Sequence, residues 1–295
     1  MNILVTGGAG QVGLELARHA WAPGVTVDAL DRGALDVTDA ASIAAALSAK
    51  PYGAVINCAA YTAVDKAESE VAAAWRLNAL APALLAEATA RAGLPLVQVS
   101  TDYVFDGSAR EPYRPDDPIN PVSVYGASKA AGELAVRTTN PRHAVVRTAW
   151  VVSPHRANFV KTMLRLASER DGLKVVDDQA GSPTIAADLA AALATVAVRL
   201  ASGEGPSGTY HCTNAGETTW CGFARAIVAG SAARGGRSVP VEGIPTSAYP
   251  TPARRPANSV LSTATLARDF GTVMRPWTAA LDDVLDRLVG PRKDS

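Results

Sequence analysis

Tyr125-Gly126-Ala127-Ser128-Lys129 sets a phenol and an ammonium four residues apart. On a helix that spacing brings both to one face, one turn apart. A free phenol titrates near pH 10, too high for easy proton exchange at neutral pH, and a nearby cation stabilises its ionised form. The pair is therefore suited to moving a proton to or from a reacting oxygen. Tyr-x-x-x-Lys by itself is also a common accident of exposed helix faces, so its surroundings decide. Upstream, the apolar run Pro95–Val99 leads into Ser100-Thr101-Asp102-Tyr103-Val104-Phe105-Asp106-Gly107. Read as a strand, that run places Thr101 at a carboxyl end, where ligands sit in open parallel sheets. From there its hydroxyl can donate to a carbonyl while Tyr125 delivers the proton.

A second motif opens the chain. Thr6-Gly7-Gly8-Ala9-Gly10-Gln11-Val12-Gly13 joins a strand to a helix, with Gly7, Gly10 and Gly13 spaced three apart. Gly7 permits a sharp turn, Gly10 lets backbone approach a pyrophosphate, and Gly13 allows close helix packing. The helix start then offers unpaired N–H groups to the phosphates. At the first strand-to-helix junction of an alternating chain this is the mark of a dinucleotide site. The next strand ends at Asp31-Arg32. Asp31 suits the free ribose hydroxyls of NAD, Arg32 the 2′-phosphate of NADP, and the pair leaves both open. Asp36 and Val37 either flank the adenine or form an ordinary loop before a helix capped near Asp39.

Elements must hold these residues in place. Strands are expected at Asn2–Thr6, Val25–Leu30, Ala54–Asn57, Pro95–Val99 and Ala144–Thr148. Helices are expected at Gln11–Ala20, Asp39–Ser48, Lys66–Ala92 (kinked or restarted by Pro82) and Tyr125–Arg137. Such alternation predicts an α/β fold: a Rossmann-type doubly wound parallel sheet with helices on both faces. Beyond residue 150 the alternation loosens and Pro, Gly and Thr increase. The expected division is a dinucleotide-binding domain over 1–150 and a smaller, mainly substrate-binding region over 151–295, with some segments returning to the main sheet. The end, Gly290–Ser295, is expected to fray.

Composition narrows the class. Lys+Arg and Asp+Glu both number 28, so no strong basic field recruits nucleic acid or an anionic membrane. The first residues lack a basic, cleavable leader, and Ile185–Leu200 is short for a membrane span and interrupted by Asp188 and Arg199. A cytoplasmic protein is expected. Cys58, Cys212 and Cys221 form neither a disulfide framework nor a metal motif, and His19, His143, His155 and His211 lack metal spacing. Ser100 lies outside any Gly-x-Ser-x-Gly elbow.

The turn Gly7–Gly13, Thr101 and the Tyr125/Lys129 pair resemble the extended short-chain dehydrogenase/reductase superfamily. Within it the chain is similar to the dTDP-4-dehydrorhamnose reductase family along nearly its whole length. The matching segments are Asn57–Glu68, Ser100–Gly107, Asn120–Gly126, Asn158–Leu164, Asp178–Thr184 and Tyr249–Pro256. The resemblance implies that NADPH or NADH is the cofactor. Gly10, Gln11 and Val12 would line its pyrophosphate, and Asp31, Asp36 and Val37 its adenosine half. Ala60, Tyr61 and Thr62 would follow it towards the nicotinamide, with Val99 beneath. Thr101 and Asp102 would contact the sugar, and Trp150 would pack against it. Lys129 would hold the ribose and lower the pKa of Tyr125. Arg254 and Arg255 either bind the nucleotide diphosphate or are surface arginines. Some relatives hold Mg²⁺ at a dimer contact; Glu15 is available for it, but Ala187 and Arg287 stand at the companion positions, so no metal is expected.

The expected reaction is reduction of the C4 keto group of dTDP-4-dehydro-L-rhamnose to dTDP-L-rhamnose, by a monomer or homodimer. Three rivals remain: a sister reductase such as dTDP-dihydrostreptose synthase, an epimerase or dehydratase, and a non-enzymatic NADP-binding regulatory subunit. Dehydratases often follow the catalytic threonine with two acidic residues, whereas here Tyr103 follows Asp102. Intact Thr101, Tyr125 and Lys129 argue against a purely regulatory subunit.

Overall fold

The structure is a computed structural model that describes residues 1–292; of the segment expected to fray, Lys293–Ser295 lie outside the described residues. The first half alternates strand and helix: β1 (Asn2–Thr6), α1 (Gln11–Arg18), β2 (Thr26–Leu30), α2 (Ala40–Ser48) and β3 (Tyr52–Asn57). Two short helices follow, α3 (Val64–Ala67) and α4 (Val71–Trp75), then a π-helical turn Arg76–Leu80 and α5 (Ala81–Arg91). Next come β4 (Leu96–Thr101), α6 (Val124–Thr139) and β5 (His143–Thr148).

The later chain contributes β6 (Val151–Val152), α7 (Phe159–Glu169), β7 (Leu173–Val176), β8 (Ala180–Gly181) and β9 (Thr184–Ile185). It continues with α8 (Ala186–Ser202), β10 (Gly208–His211), β11 (Thr218–Thr219), α9 (Trp220–Ala232), β12 (Val241–Ile244), α10 (Ala264–Phe270) and α11 (Trp277–Leu288).

The strands of the first half and β10 make a six-stranded sheet in the order β10–β5–β4–β3–β1–β2, with every pair parallel. The winding reverses between β1 and β3, which opens a crevice beyond their carboxyl ends. Residues of β1 alternate across the sheet, as the two-residue strand period requires. Ile3 and Val5 pack with Leu16, Leu189 and Leu193 on one face. Leu4 packs with Ile43, Leu85 and Val136 on the other. Apolar burial on both faces explains why these strands read as continuous hydrophobic runs. Helix α8 packs on α1, β3 and β4, and β10 extends the sheet beside β5. Helices α7, α9 and α11 enclose a second core around Val160, Met163, Ile227 and Leu281.

The long helix expected over Lys66–Ala92 is not continuous. It closes at Ala67, and the chain restarts at Val71. Pro82 falls in the first turn of α5, directly after the π-helical turn. Pro82 has no N–H to donate, and the widened turn ahead of it absorbs the break in the ladder. That turn also carries Asn78, whose amide reaches both Tyr61 and Ser128.

Candidate active site

Ser123 caps α6 by accepting the Gly126 N–H at 3.2 Å. The helix then buries Tyr125, Lys129 and Glu133 at successive turns of one face. Glu133 is locked to Arg147 of β5 at 2.7 Å, with both side chains 1% exposed, so the helix cannot rotate without breaking a buried ion pair. Lys129 donates to the Val99 carbonyl oxygen at 2.7 Å. Burial brings its ammonium down to about 8, against the pull of Glu133.

Burial raises the Tyr125 phenol well above its ordinary value; the Thr101 hydroxyl beside it opposes that rise, and Asp102 and Tyr103 add to it. The expected lowering by Lys129 is therefore not what the structure displays. The lysine is turned towards the Val99 carbonyl, and desolvation governs the phenol. A phenol so raised is fully protonated at neutral pH and gives its proton only to a stronger base, such as a forming alkoxide.

Thr101 links Tyr125 to Asp102. Its hydroxyl donates to Asp102 Oδ1 at 2.9 Å and accepts the Tyr103 N–H at 3.2 Å. Asp102 is 2% exposed. Burial raises its carboxyl to about 6, opposed by the hydroxyls of Thr101 and Ser259. Among the described residues, Asp102 Oδ2 and Ser100 Oγ are the buried side-chain polar atoms without a hydrogen-bond partner. Both residues lie on a cavity wall, where a polar ligand can supply what the protein does not.

That cavity, of about 530 Å³, brings Thr101, Asp102, Tyr125, Lys129, Trp150 and Val99 together with Gln11, Val12, Gly13 and Thr62. A second cavity, of about 870 Å³, is lined by Gly7, Asp31, Asp36, Val37 and Tyr61. Gly10, Cys58 and Ala60 belong to both, so the two form a seam across the glycine-rich turn. Gly7 has a φ of +68°, which L side chains rarely adopt. A β-carbon on Gly13 would lie 2.3 Å from the Gly7 carbonyl oxygen. Its closeness therefore serves packing against the turn itself rather than against the sheet. No side chain caps α1, leaving its first N–H groups facing the seam. The seam, its uncapped helix start and the unpartnered polar atoms fit a dinucleotide with one half on either side of the turn.

In the second cavity Asp31 accepts the N–H groups of Gly33 and Ala34 at 2.9 and 3.2 Å. Asp36 accepts from Thr38, whose N–H and hydroxyl hold its carboxyl below the usual range. Arg32 and Arg76 line the same wall, and neither has a carboxylate within ion-pair distance among the described residues. Arg76 escaped the sequence reading, because only the π-helical turn directs it here.

Two expectations need correction. Trp150 lines the catalytic cavity, but its ring is stacked on Trp220, with centroids 3.6 Å apart and planes at 12°. One indole face is therefore already covered, and the cavity wall presents a Trp150–Trp220 pair rather than an isolated ring. Trp220 lies far away in sequence and carried no signal of this. Arg255 is not free for a diphosphate: it donates to the Tyr103 hydroxyl at 2.6 Å and to Asp65 at 2.8 Å. It thereby pins the proline-rich loop beside Tyr103, which packs edge-on to Tyr125. Glu15 is engaged within its own chain, paired with Arg287 at 3.1 Å and 3.0 Å from the His155 ring nitrogen.

A doubly wound sheet, a glycine turn at its switch point and a Tyr–Lys helix beside the end of β4 define an extended short-chain dehydrogenase/reductase. Known proteins narrow the class. The family described as RmlD substrate binding domain matches residues 1–289. A dTDP-4-dehydrorhamnose reductase of Burkholderia thailandensis is 49% identical over 292 residues, covering 95% of this chain and 97% of that protein. The crystal structure of a Clostridium acetobutylicum dTDP-4-dehydrorhamnose reductase superposes with a TM-score of 0.91 at 40% identity, covering 98% and 99% of the two chains. The Bacillus anthracis enzyme in complex with NADP superposes at 0.88 and 33% identity, covering 96% and 98%. The chain belongs to the dTDP-4-dehydrorhamnose reductase family.

Proposed function

We propose that this enzyme reduces the C4 keto group of dTDP-4-dehydro-L-rhamnose to give dTDP-L-rhamnose, using NADPH or NADH. The observation that carries the reading is one cavity in which Tyr125, Thr101 and Lys129 face the glycine-rich turn. When bound, the nicotinamide supplies the hydride and hence the redox chemistry. Tyr125, kept protonated by burial, gives its proton to the oxygen that develops charge at C4. Thr101 polarises that oxygen by turning its hydroxyl proton from Asp102 to the sugar. Asp102 Oδ2 would take up a sugar hydroxyl, Lys129 would hold the ribose hydroxyls, and Val99 would line the nicotinamide side of the site. Gly7–Gly13 would receive the pyrophosphate, Asp31, Asp36 and Val37 would hold the adenosine half, and Ala60, Tyr61 and Thr62 would hold the part of the cofactor nearer the nicotinamide. The Trp150–Trp220 pair borders the sugar and limits its orientation.

On this reading residues 1–150 carry the cofactor, and 151–295 mainly the substrate. The enzyme works in the cytoplasm as a monomer or homodimer; among the described residues no helix is long and apolar enough to cross a membrane. The test mixes purified protein with NADPH and dTDP-4-dehydro-L-rhamnose and follows NADPH absorbance and sugar product. Stoichiometric loss of NADPH with dTDP-L-rhamnose formed supports the reading. Sugar isomerised without net NADPH loss makes the chain an epimerase. Binding without turnover makes it a regulatory subunit. Faster turnover of the dTDP-dihydrostreptose precursor makes it the sister reductase.

A further inference from the structure

Trp150 and Arg156 are the non-glycine residues with positive φ among the described residues, at +50° and +54°. Both belong to one strap, residues 150–158, that lines the catalytic cavity and runs back over the glycine-rich turn. The strap is tied to α1 through Gln11. Ser153 and Asn158 donate to its Oε1 at 2.8 and 3.0 Å, and its amide donates to the Val151 carbonyl oxygen at 3.3 Å. Arg156 reaches furthest: its Nε donates to the carbonyl oxygen of Ala9, inside the turn, at 2.7 Å. That bond fixes the plane of the guanidinium. Its Nη1 and Nη2 groups have no hydrogen-bond or ion-pair partner among the described residues, and Arg156 borders the cavity beside Gly10.

We infer that Arg156 is a clamp for a diphosphate: its two free Nη groups close over the pyrophosphate that the glycine-rich turn receives from below. The inference rests on the dinucleotide reading above and adds a residue from the strap that is bonded to the turn. A guanidinium offers paired donors in a fixed fork that matches phosphate oxygens, and the Ala9 bond holds the fork in register before the ligand arrives. An arginine at a φ of +54° is a poor backbone choice that glycine would make without penalty. This gives the inference a clean handle, because Arg156→Gly removes the guanidinium while leaving the backbone at ease.

Diphosphate also occurs in the nucleotide sugar, so the experiment must separate the two sources. Calorimetric titration of the full-length parent, Arg156→Gly and Arg156→Lys with NADP⁺, dTDP and 2′-AMP does so, with melting of the ligand-free proteins alongside. Arg156→Gly is expected to bind NADP⁺ about tenfold to a hundredfold more weakly, the range for charged hydrogen bonds. Arg156→Lys should fall between the two. Affinity for dTDP and for 2′-AMP, which lacks a diphosphate, should stay unchanged, and Arg156→Gly should melt at or above the parent temperature. Undiminished NADP⁺ affinity in Arg156→Gly overturns the inference. So does an equal loss for 2′-AMP, a loss for dTDP alone, or a general loss with lowered melting. A parent that binds no NADP⁺ removes the functional reading and this inference together.

Discussion

Replacing Asp102 by asparagine removes a buried carboxyl while keeping its shape. The structure places Asp102 at 2% exposure, with one oxygen bonded to Thr101 and the other unpartnered. Burial carries its pKa from an ordinary 3.8 to about 6. That displacement corresponds to about 3 kcal/mol of differential stability. The sign follows from proton counts. Between about pH 4 and pH 6 the folded protein keeps a proton that the unfolded chain has released, so stability falls as pH rises through that window. Below it both states are protonated and the carboxyl costs nothing. Above it the ionised, half-satisfied carboxylate carries the full cost. The amide of Asp102→Asn does not titrate, but it inherits the unpartnered position, at about 1–3 kcal/mol independent of pH. The variant should therefore be less stable than the parent at pH 4 and close to it at pH 7. Urea unfolding of both ligand-free proteins at a series of pH values measures this, and titrations shared by the two cancel in the difference. The stability difference should move by about 3 kcal/mol in favour of the variant between pH 4 and pH 7. Parallel curves, within about 1 kcal/mol throughout, would show that Asp102 titrates normally and that the account of its burial is wrong.

Tyr125→Phe keeps the ring and removes the proton donor, so turnover should fall about 10²–10⁴-fold with NADPH binding retained; activity within about threefold of the parent removes Tyr125 from the chemistry. Because burial brings Lys129 down to about 8 and raises Tyr125 further from the neutral range, kcat/KM of the parent should decline above about pH 8. Lys129→Met should be slow and lack that alkaline limb; a limb that persists assigns it to another group. Asp31→Ala should shift the kcat/KM ratio towards NADPH, and Arg76→Ala towards NADH, since both residues line the second cavity, proposed for the adenosine half. A shift of either in the opposite sense shows that the side chain does not face the ribose. Trp150→Ala should impair sugar turnover more than NADPH binding and cost about 3–5 kcal/mol of stability through loss of the Trp220 stack. Equal stability and full activity in both Trp150→Ala and Trp150→Phe would show that the ring touches neither the sugar nor the core.

The sequence by itself determined whatever depends on local spacing. Glycines three residues apart after a buried strand can make only a few turns, and Gly7 and Gly13 stand where a side chain would be strained or would collide. Tyr125 and Lys129 share a helix face because 3.6 residues make a turn. The central strands β1 and β3 were legible because burial on both sides leaves them largely apolar. The family resemblance added which residues to expect at the cofactor and the sugar, and the structure gathers those residues on the walls of two joined cavities. Tertiary structure decided whatever depends on distant partners or on desolvation. The helix expected over Lys66–Ala92 breaks, and its π-helical turn aims Arg76 and Asn78 at elements far away in the chain. Trp220 reaches Trp150 only after α9 packs, and Arg255 finds Asp65 and Tyr103 only when the last third of the chain folds over the first. The charges behave likewise. A lysine one turn from a tyrosine reads as a cation that eases its ionisation, yet Lys129 turns to the Val99 carbonyl and burial raises the phenol instead. Spacing along a helix fixes which groups are neighbours, whereas the water excluded by the completed fold fixes their protonation.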